Sequence, residues 1–254
     1  MNIILIKNSD LINSNKVQLA DQRASHIIKV IKAKIGDKLR VGIVNGQLGE
    51  ALVTDISAFM VELEIKLMKT PPPALPVTLL LALPRPKVLK RVLSSAITMG
   101  VKKIFLFNSW LVEKSYWQTP LLTPDKLTKI SLTALEQAVD TVLPEIILKP
   151  RFRPFAEDEV PVLARGRDAL ILHPYSETAP VTTTRKPSTQ QQDSTLIAIG
   201  PEGGFIPFEV EMLMASGLRA VSLGPRILRV EQAVPCALAQ FLKQASLADN
   251  PNCR

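Results

Sequence analysis

Ile199-Gly200-Pro201-Glu202-Gly203-Gly204-Phe205 and, about twenty residues on, Leu223-Gly224-Pro225-Arg226-Ile227-Leu228-Arg229-Val230-Glu231 decide how this chain is read. The first stretch follows the apolar run Leu196-Ile197-Ala198-Ile199, which is short enough to be a buried parallel strand. It precedes a helix start at Pro207 with Glu209 and Glu211 in the first turn. A strand, loop and helix corner is expected there. Gly200, Gly203 and Gly204 let the backbone approach a ligand closely, so that a side chain at Gly203 is expected to fill the crevice, while Pro201 stiffens the turn and withholds an amide donor. The second stretch repeats the arrangement: residues 219–223 read as a strand, enter Gly224-Pro225, and lead to an apolar helix with Pro235 expected in its first turn. Two such loops at the carboxyl ends of two strands can line one crevice of an open α/β sheet, although two ordinary tight turns have the same spacing.

At 254 residues, with 46% hydrophobic and 21% charged residues, the chain can bury a sizeable core in one large or two modest domains. Its formal charge of +8 and pI of about 9.6 favour a polyanionic partner such as RNA. The opening Met1-Asn2-Ile3-Ile4-Leu5-Ile6-Lys7 reads as a strand and lacks the form of a signal peptide; with no apolar stretch of about 18 residues, no membrane segment is expected and a cytoplasmic location is. Cys236, Cys253, His26 and His173 suit neither a disulfide framework nor a metal site.

Residues 1–70 read as a small β-rich barrel with one helix over residues 21–33. Strands over residues 38–44 and 50–56 flank the hairpin signal Asn45-Gly46, and Val61, Leu63, Ile65 and Leu67 alternate with polar residues. On the helix, Lys29 and Lys32 share one edge while Ile27, Ile28 and Ile31 are available to the core. The proline run in residues 71–76 is the one clear linker.

From residue 77 strands and helices alternate, which argues for a mainly parallel α/β sheet covered on both faces. The helix from Pro86 buries Leu89, Val92, Leu93, Ala96 and Ile97 and turns Lys87, Lys90 and Arg91 to solvent beside Arg85, a basic ridge that suits RNA or is simply a solvated face. Residues 174–195 are polar and are expected to form a mobile surface loop. After Pro235, the residues Val234, Ala237, Leu238, Phe241 and Leu242, with Ala245, form an apolar stripe open to either the sheet or another helix.

The two glycine-bearing motifs together resemble the RsmE family of 16S ribosomal RNA uridine N3-methyltransferases, members of the SPOUT superfamily, and the likeness runs over nearly the whole chain. The resemblance implies a PUA-like RNA-binding β-barrel over residues 1–70 and a SPOUT α/β trefoil-knot methyltransferase domain over residues 77–254. It also implies a homodimer and S-adenosylmethionine as cofactor, on small-subunit ribosomal RNA. By the same resemblance, cofactor contacts fall on Leu172, Ile199, Gly200, Pro201, Glu202, Gly203, Leu223, Gly224, Ile227, Leu228 and Ala233. RNA contacts are expected at Lys29 and Lys32, where members of the family tend to carry arginines, and on the basic ridge of Arg85, Lys87 and Lys90.

Uracil N3 is a weakly acidic imide nitrogen, so a base or an anion stabiliser would assist transfer to it. Arg229 and Glu231 are the charged groups nearest the second motif: Arg229 is expected to position or stabilise the base and Glu231 to accept a proton or hold structure, unless the two merely pair across the loop. Glu202 is expected either to touch the ligand or to cap the helix that follows. Two departures from the family wording stand out: Leu228-Arg229-Val230-Glu231-Gln232-Ala233 where Leu-Arg-Thr-Glu-Thr-Ala is common, and Val139-Asp140 after Glu136-Gln137-Ala138 where Gly-Arg is common. These touch RNA recognition more than cofactor binding. Transfer to another RNA position such as a ribose hydroxyl, or an inactive RNA-binding module, are the alternatives.

Overall fold

The computed structural model describes residues 2–174 and 195–242. The polar stretch 175–194, Ala245 and Cys253 lie outside the described residues. Two compact units divide the chain. One holds residues up to Pro72 together with Leu132–Leu143; the other holds Pro73–Ser131 and the chain from Pro144 onward.

The first unit is a five-stranded sheet in the order β1-β3-β4-β5-β2, built from β1 (Ile4–Ile6), β2 (Lys16–Leu19), β3 (Lys38–Ile43), β4 (Leu48–Ile56) and β5 (Val61–Lys69). All its pairings are antiparallel except β1 with β3. Val61, Leu63 and Ile65 are buried with Val17, Val41 and Val53, so the alternation in β5 marks a core face. β2 carries the same alternation over four residues, too short to stand out in the sequence. Residues 132–143 join this unit by backbone bonds: Asn2 N donates to Glu136 O at 3.1 Å and Asn45 N to Thr141 O at 2.8 Å.

The helix expected over residues 21–33 is shorter and changes character. Asp21 caps α1 (Gln22–His26) by accepting from Arg23 N, a π-type turn covers Ile27–Ile31, and Lys32 ends it in the left-handed conformation with φ +56°. The wider turn shifts the angular phase, so Ile27 is buried but Ile31 is 41% exposed, not in the core. Lys32 therefore does not share a helix edge with Lys29; it sits at the terminus, where its N–H bonds Ile27 O.

The second unit is a six-stranded, wholly parallel sheet in the order β11-β9-β10-β6-β7-β8. Its strands are β6 (Val77–Ala82), β7 (Lys103–Phe107), β8 (Glu145–Lys149), β9 (Asp168–Leu172), β10 (Thr195–Ile199) and β11 (Arg219–Val221). The α-helices from Pro86 onward are α2 (Pro86–Thr98), α3 (Pro124–Ala138), α4 (Phe152–Pro154), α5 (Val160–Ala164), α6 (Pro207–Ala215) and α7 (Val230–Ala239), with a π-type turn joining α4 to α5. Every residue of β6 and β10 is buried, as expected of central strands covered on both faces. Leu80, Ala82, Phe105, Phe107 and Ala198 share one core with Phe155 and Phe205; the Phe107 ring lies 5.4 Å from that of Phe155 and 6.0 Å from that of Phe205.

α2 buries the five residues its period assigns, Leu89, Val92, Leu93, Ala96 and Ile97, and packs against α7. α7 begins earlier than Pro235 suggests. Arg229 is its N-cap, with Gln232 Oε1 accepting from Arg229 N at 3.3 Å, so Pro235 lies inside the helix, in its second turn. Val234, Ala237, Leu238 and Phe241 are buried within the chain, and of that stripe only Leu242 is exposed among the described residues. The apolar face of α7 is thus spent on its own subunit.

Candidate functional site

Three strands deliver the site from their carboxyl ends. β10 ends at Ile199 and the chain folds back at once: Gly204 N donates to Pro201 O at 2.8 Å, and a Cβ on Gly200 would come within 3.2 Å of Gly204 C and Phe205 N. A larger residue at Gly200 would push that return outward by a few tenths of an ångström. β11 leads into Ser222, whose hydroxyl donates to Gly224 O at 2.9 Å, and Gly224 takes φ +131°. β9 ends beside them, with His173 N donating to Val221 O at 3.0 Å.

Between these loops and the first turns of α7 lies a cavity of about 300 Å3. That is the lower end of the range for small-molecule sites, roughly 300 to 1,000 Å3. Its wall contains all eleven positions assigned to the cofactor: Leu172, Ile199, Gly200, Pro201, Glu202, Gly203, Leu223, Gly224, Ile227, Leu228 and Ala233. His173, Pro174, Gly204, Phe205, Ser222, Arg226 and Val230 complete it and were missed in the sequence, most of them being direct neighbours of assigned positions. Burial pushes the His173 imidazole below its usual pKa.

The structure redirects two expectations about this wall. A Cβ at Gly203 would meet Leu111 Cδ1 at 3.0 Å, so a side chain there presses on the loop after β7 rather than filling the crevice. Glu202 does not cap α6. Glu209 does, accepting from Ile206 N at 3.1 Å, while Glu202 Oε1 accepts from Arg85 N at 3.0 Å.

Arg229 and Glu231 stand at the start of α7, on either side of Val230. Val230 and Ala233, three apart, face the cavity, and the helical turn of about 100° per residue carries Glu231 off that face. Arg229 is exposed, and among the described residues no ion pair joins it to Glu231. Of the basic positions, Arg85, Lys87 and Lys90 are exposed at the start of α2, and Lys29 and Lys32 are exposed in the first unit.

Among the described residues no helix is long and apolar enough to cross a membrane, and no group of three or more His, Cys, Asp or Glu side chains is placed to hold a metal ion. Both tryptophans and one of the two tyrosines fall within residues 110–117, in the loop after β7 that touches Gly203 through Leu111.

A family model described as an RNA methyltransferase domain matches residues 71–242. Ribosomal RNA small subunit methyltransferase E of Treponema pallidum is 31% identical over 248 residues, 96% of this chain and 92% of its own length. The protein of the same name from Rickettsia conorii is 29% identical over 239 residues, 92% of each chain. Among solved structures, a ribosomal RNA small subunit methyltransferase E from Neisseria gonorrhoeae bound to S-adenosylmethionine superposes with a TM-score of 0.75 at 20% identity, covering 96% of this chain and 98% of that one. The chain has the SPOUT-type α/β methyltransferase fold and belongs to the ribosomal RNA small subunit methyltransferase E family.

Proposed function

We propose that this chain methylates N3 of a uridine in 16S ribosomal RNA, using S-adenosylmethionine. The observation that carries this reading is one cavity at the carboxyl ends of three parallel strands, lined by the eleven positions that the family resemblance implies for the cofactor, in a chain 31% identical to a named ribosomal RNA methyltransferase. The cavity wall suits the cofactor. Its glycine loops present main-chain groups, its apolar side chains Ile199, Leu223, Ile227 and Leu228 suit an adenine face, and the tight return at Gly200 leaves the ligand side of the loop as backbone. When bound, S-adenosylmethionine supplies a methyl group already activated by its sulfonium.

What remains for the protein is to hold the acceptor in line, exclude water and manage charge. Arg229 is assigned the negative charge that develops on the uracil imide, and Glu231 the N3 proton or the anchoring of the α7 start. Both flank Val230, which lines the cavity. Lys29, Lys32, Arg85, Lys87 and Lys90 supply exposed positive charge for the RNA backbone. In this reading residues 1–70 form a PUA-like RNA-binding barrel, residues 71–76 a linker, and residues 77–254 a knotted methyltransferase domain. The protein works as a cytoplasmic homodimer on the small ribosomal subunit or its RNA.

Transfer to a different acceptor, such as a ribose 2′-hydroxyl, is the alternative within the same fold. Mass mapping of ribosomal RNA from cells lacking this protein separates the readings. Loss of one N3-methyluridine in 16S RNA is expected, and loss of a ribose methylation instead would replace the proposal.

A further inference from the structure

Trp110 is 78% exposed, yet its backbone is fixed. Trp110 N donates to Glu209 Oε1 at 2.7 Å and Ser109 Oγ donates to Glu209 Oε2 at 3.1 Å, on a carboxylate that is only 2% exposed. Next in the chain, Leu111 contacts Gly203 of the cavity wall. The same segment is closed from the other side, where Trp117 Nε1 donates to Asn108 Oδ1 at 2.9 Å. An indole left in water forgoes the burial that a partner would provide. The Glu209 carboxylate that caps α6 also fixes the Trp110 backbone, so the ring is presented to solvent on a rigid support.

The segment that carries Trp110 also borders charge. Its Tyr116 hydroxyl donates to Glu113 Oε1 at 2.9 Å and lies within electrostatic reach of Arg85, which opens the helix that carries exposed Lys87 and Lys90, so positive charge meets the segment at its Tyr116 end. Aromatic faces interleaved with cations fit a single-stranded nucleic acid, whose bases stack on the rings while its phosphates meet the cations. An acidic protein partner would use the charge but leave the indole without a matching face.

We infer that Trp110 is a stacking platform for an unpaired base of the RNA substrate, held in position by Glu209 beside the cofactor cavity. The inference rests on the RNA methyltransferase reading for the identity of its ligand. Because Trp110 is exposed and its anchoring bond is made by the backbone, replacing it leaves the fold intact.

The test compares the unmodified full-length protein with Trp110→Ala and Trp110→Phe. Fluorescence anisotropy measures binding to a labelled unstructured oligouridylate of about ten nucleotides and to a duplex RNA of equal length. Calorimetry with S-adenosylmethionine and methyl transfer to ribosomal RNA are measured on the same samples. W110A is expected to weaken single-strand binding ~5- to 150-fold, the span for loss of one base stack. W110F is expected to stay within about threefold because the ring face is kept, and duplex binding is expected to be unchanged. Selective loss in W110A supports the platform even if none of the proteins transfers a methyl group. Equal single-strand binding by all three overturns it even if all three are active, as does an equal loss of single-strand and duplex binding.

Discussion

Glu202 Oε1 accepts a hydrogen bond from the backbone N–H of Arg85 at 3.0 Å, tying the loop after β10 to the start of α2 across 117 residues of sequence. Arg85 is the N-cap of α2 and receives no side-chain cap of its own, so the Glu202 carboxylate faces the end of the helix where unpaired N–H groups and the dipole favour negative charge. The cavity wall and the basic helix are thereby set by one bond. Glu202→Ala should weaken S-adenosylmethionine binding about fivefold, the equivalent of one hydrogen bond worth about 1 kcal/mol. Glu202→Gln keeps an acceptor and should bind within about twofold. Calorimetry decides it: an alanine variant with unchanged affinity would mean the loop holds its shape without this bond.

Ala233 gives the sharper probe of the cavity itself. It lies on the regular part of α7 with its side chain on the wall, so a larger residue fits the helix backbone and intrudes on the ligand space. Ala233→Phe should abolish calorimetric binding of S-adenosylmethionine, with unchanged far-ultraviolet circular dichroism. Gly203→Ala should instead act mainly on Leu111, and binding should fall only slightly. If A233F binds like the unmodified protein, the ligand lies elsewhere.

The parallel sheet was readable because its central strands are short, mostly apolar runs, broken only by Thr78 and Thr195, and because α2 has a strong amphipathic period and buries the residues that period names. Two glycine motifs after strands pointed to a crevice, but two tight turns share their spacing, and the cofactor positions, Leu172 among them, came from the family resemblance. What stayed hidden depends on long-range contacts. Glu209 looks like any first-turn glutamate until Trp110 and Ser109, about a hundred residues earlier, are brought to it. Likewise the stripe on α7 could serve a neighbouring subunit or its own, and only the packing with α2 assigns it. The start of α7 was misplaced because proline is a good first-turn residue, while here the actual cap is made by Arg229 and Gln232.

In the first unit, Arg23 holds three elements together. Its guanidinium donates to Asp10 at 2.6 and 3.0 Å, to Asp21 at 2.7 Å and to Leu5 O at 2.6 Å, with the Arg23 and Asp10 side chains each 12% exposed. Arg23→Ala would leave the nearly buried Asp10 with the Lys7 N–H but without its counter-charge, so a loss of about 3 kcal/mol is expected in chemical denaturation. The hydrogen bond from Arg23 also holds the Asp21 carboxyl below its ordinary value of 3.8. A depressed carboxylate contributes stability that is present above the unfolded-state value and is lost as pH falls through the folded one. The unmodified protein should therefore lose stability below about pH 4 along a limb that is flatter in R23A. Parallel acid limbs would remove Arg23 as the cause.

Exposed cations at Lys29, Lys32, Arg85, Lys87 and Lys90 should appear in the salt dependence of RNA binding. For every one of them that pairs with a phosphate, replacement by alanine lowers the slope of log K against log salt by about 0.7 for a single strand. The fivefold variant should bind more weakly with a flatter slope and keep its S-adenosylmethionine affinity. An undiminished slope would leave these side chains as solvated surface.

Val139 closes α3 in a conformation that opposes its side chain. Asp140 N donates to Leu135 O at 3.1 Å, the long bond of a Schellman C-cap, and Val139 takes the left-handed position with φ +56°. A β-branched residue is poorly suited there: left-handed backbone costs an L-residue roughly 1 to 2 kcal/mol, whereas glycine adopts it freely. Glycine also adds freedom to the unfolded chain, which offsets about 0.4 to 1 kcal/mol of the relief. Val139→Gly should thus gain about 0.5 to 1 kcal/mol and raise Tm by about 1 to 4 °C for a protein of this size. Val139→Ala keeps the left-handed penalty without the branch and should fall between the two. The substitution removes no charge, so RNA affinity measured by anisotropy should not change with it, which separates the backbone effect of this departure from the recognition effect of its neighbour Asp140. A lower Tm for V139G would mean that the half-buried valine side chain contributes more through packing than its backbone conformation costs.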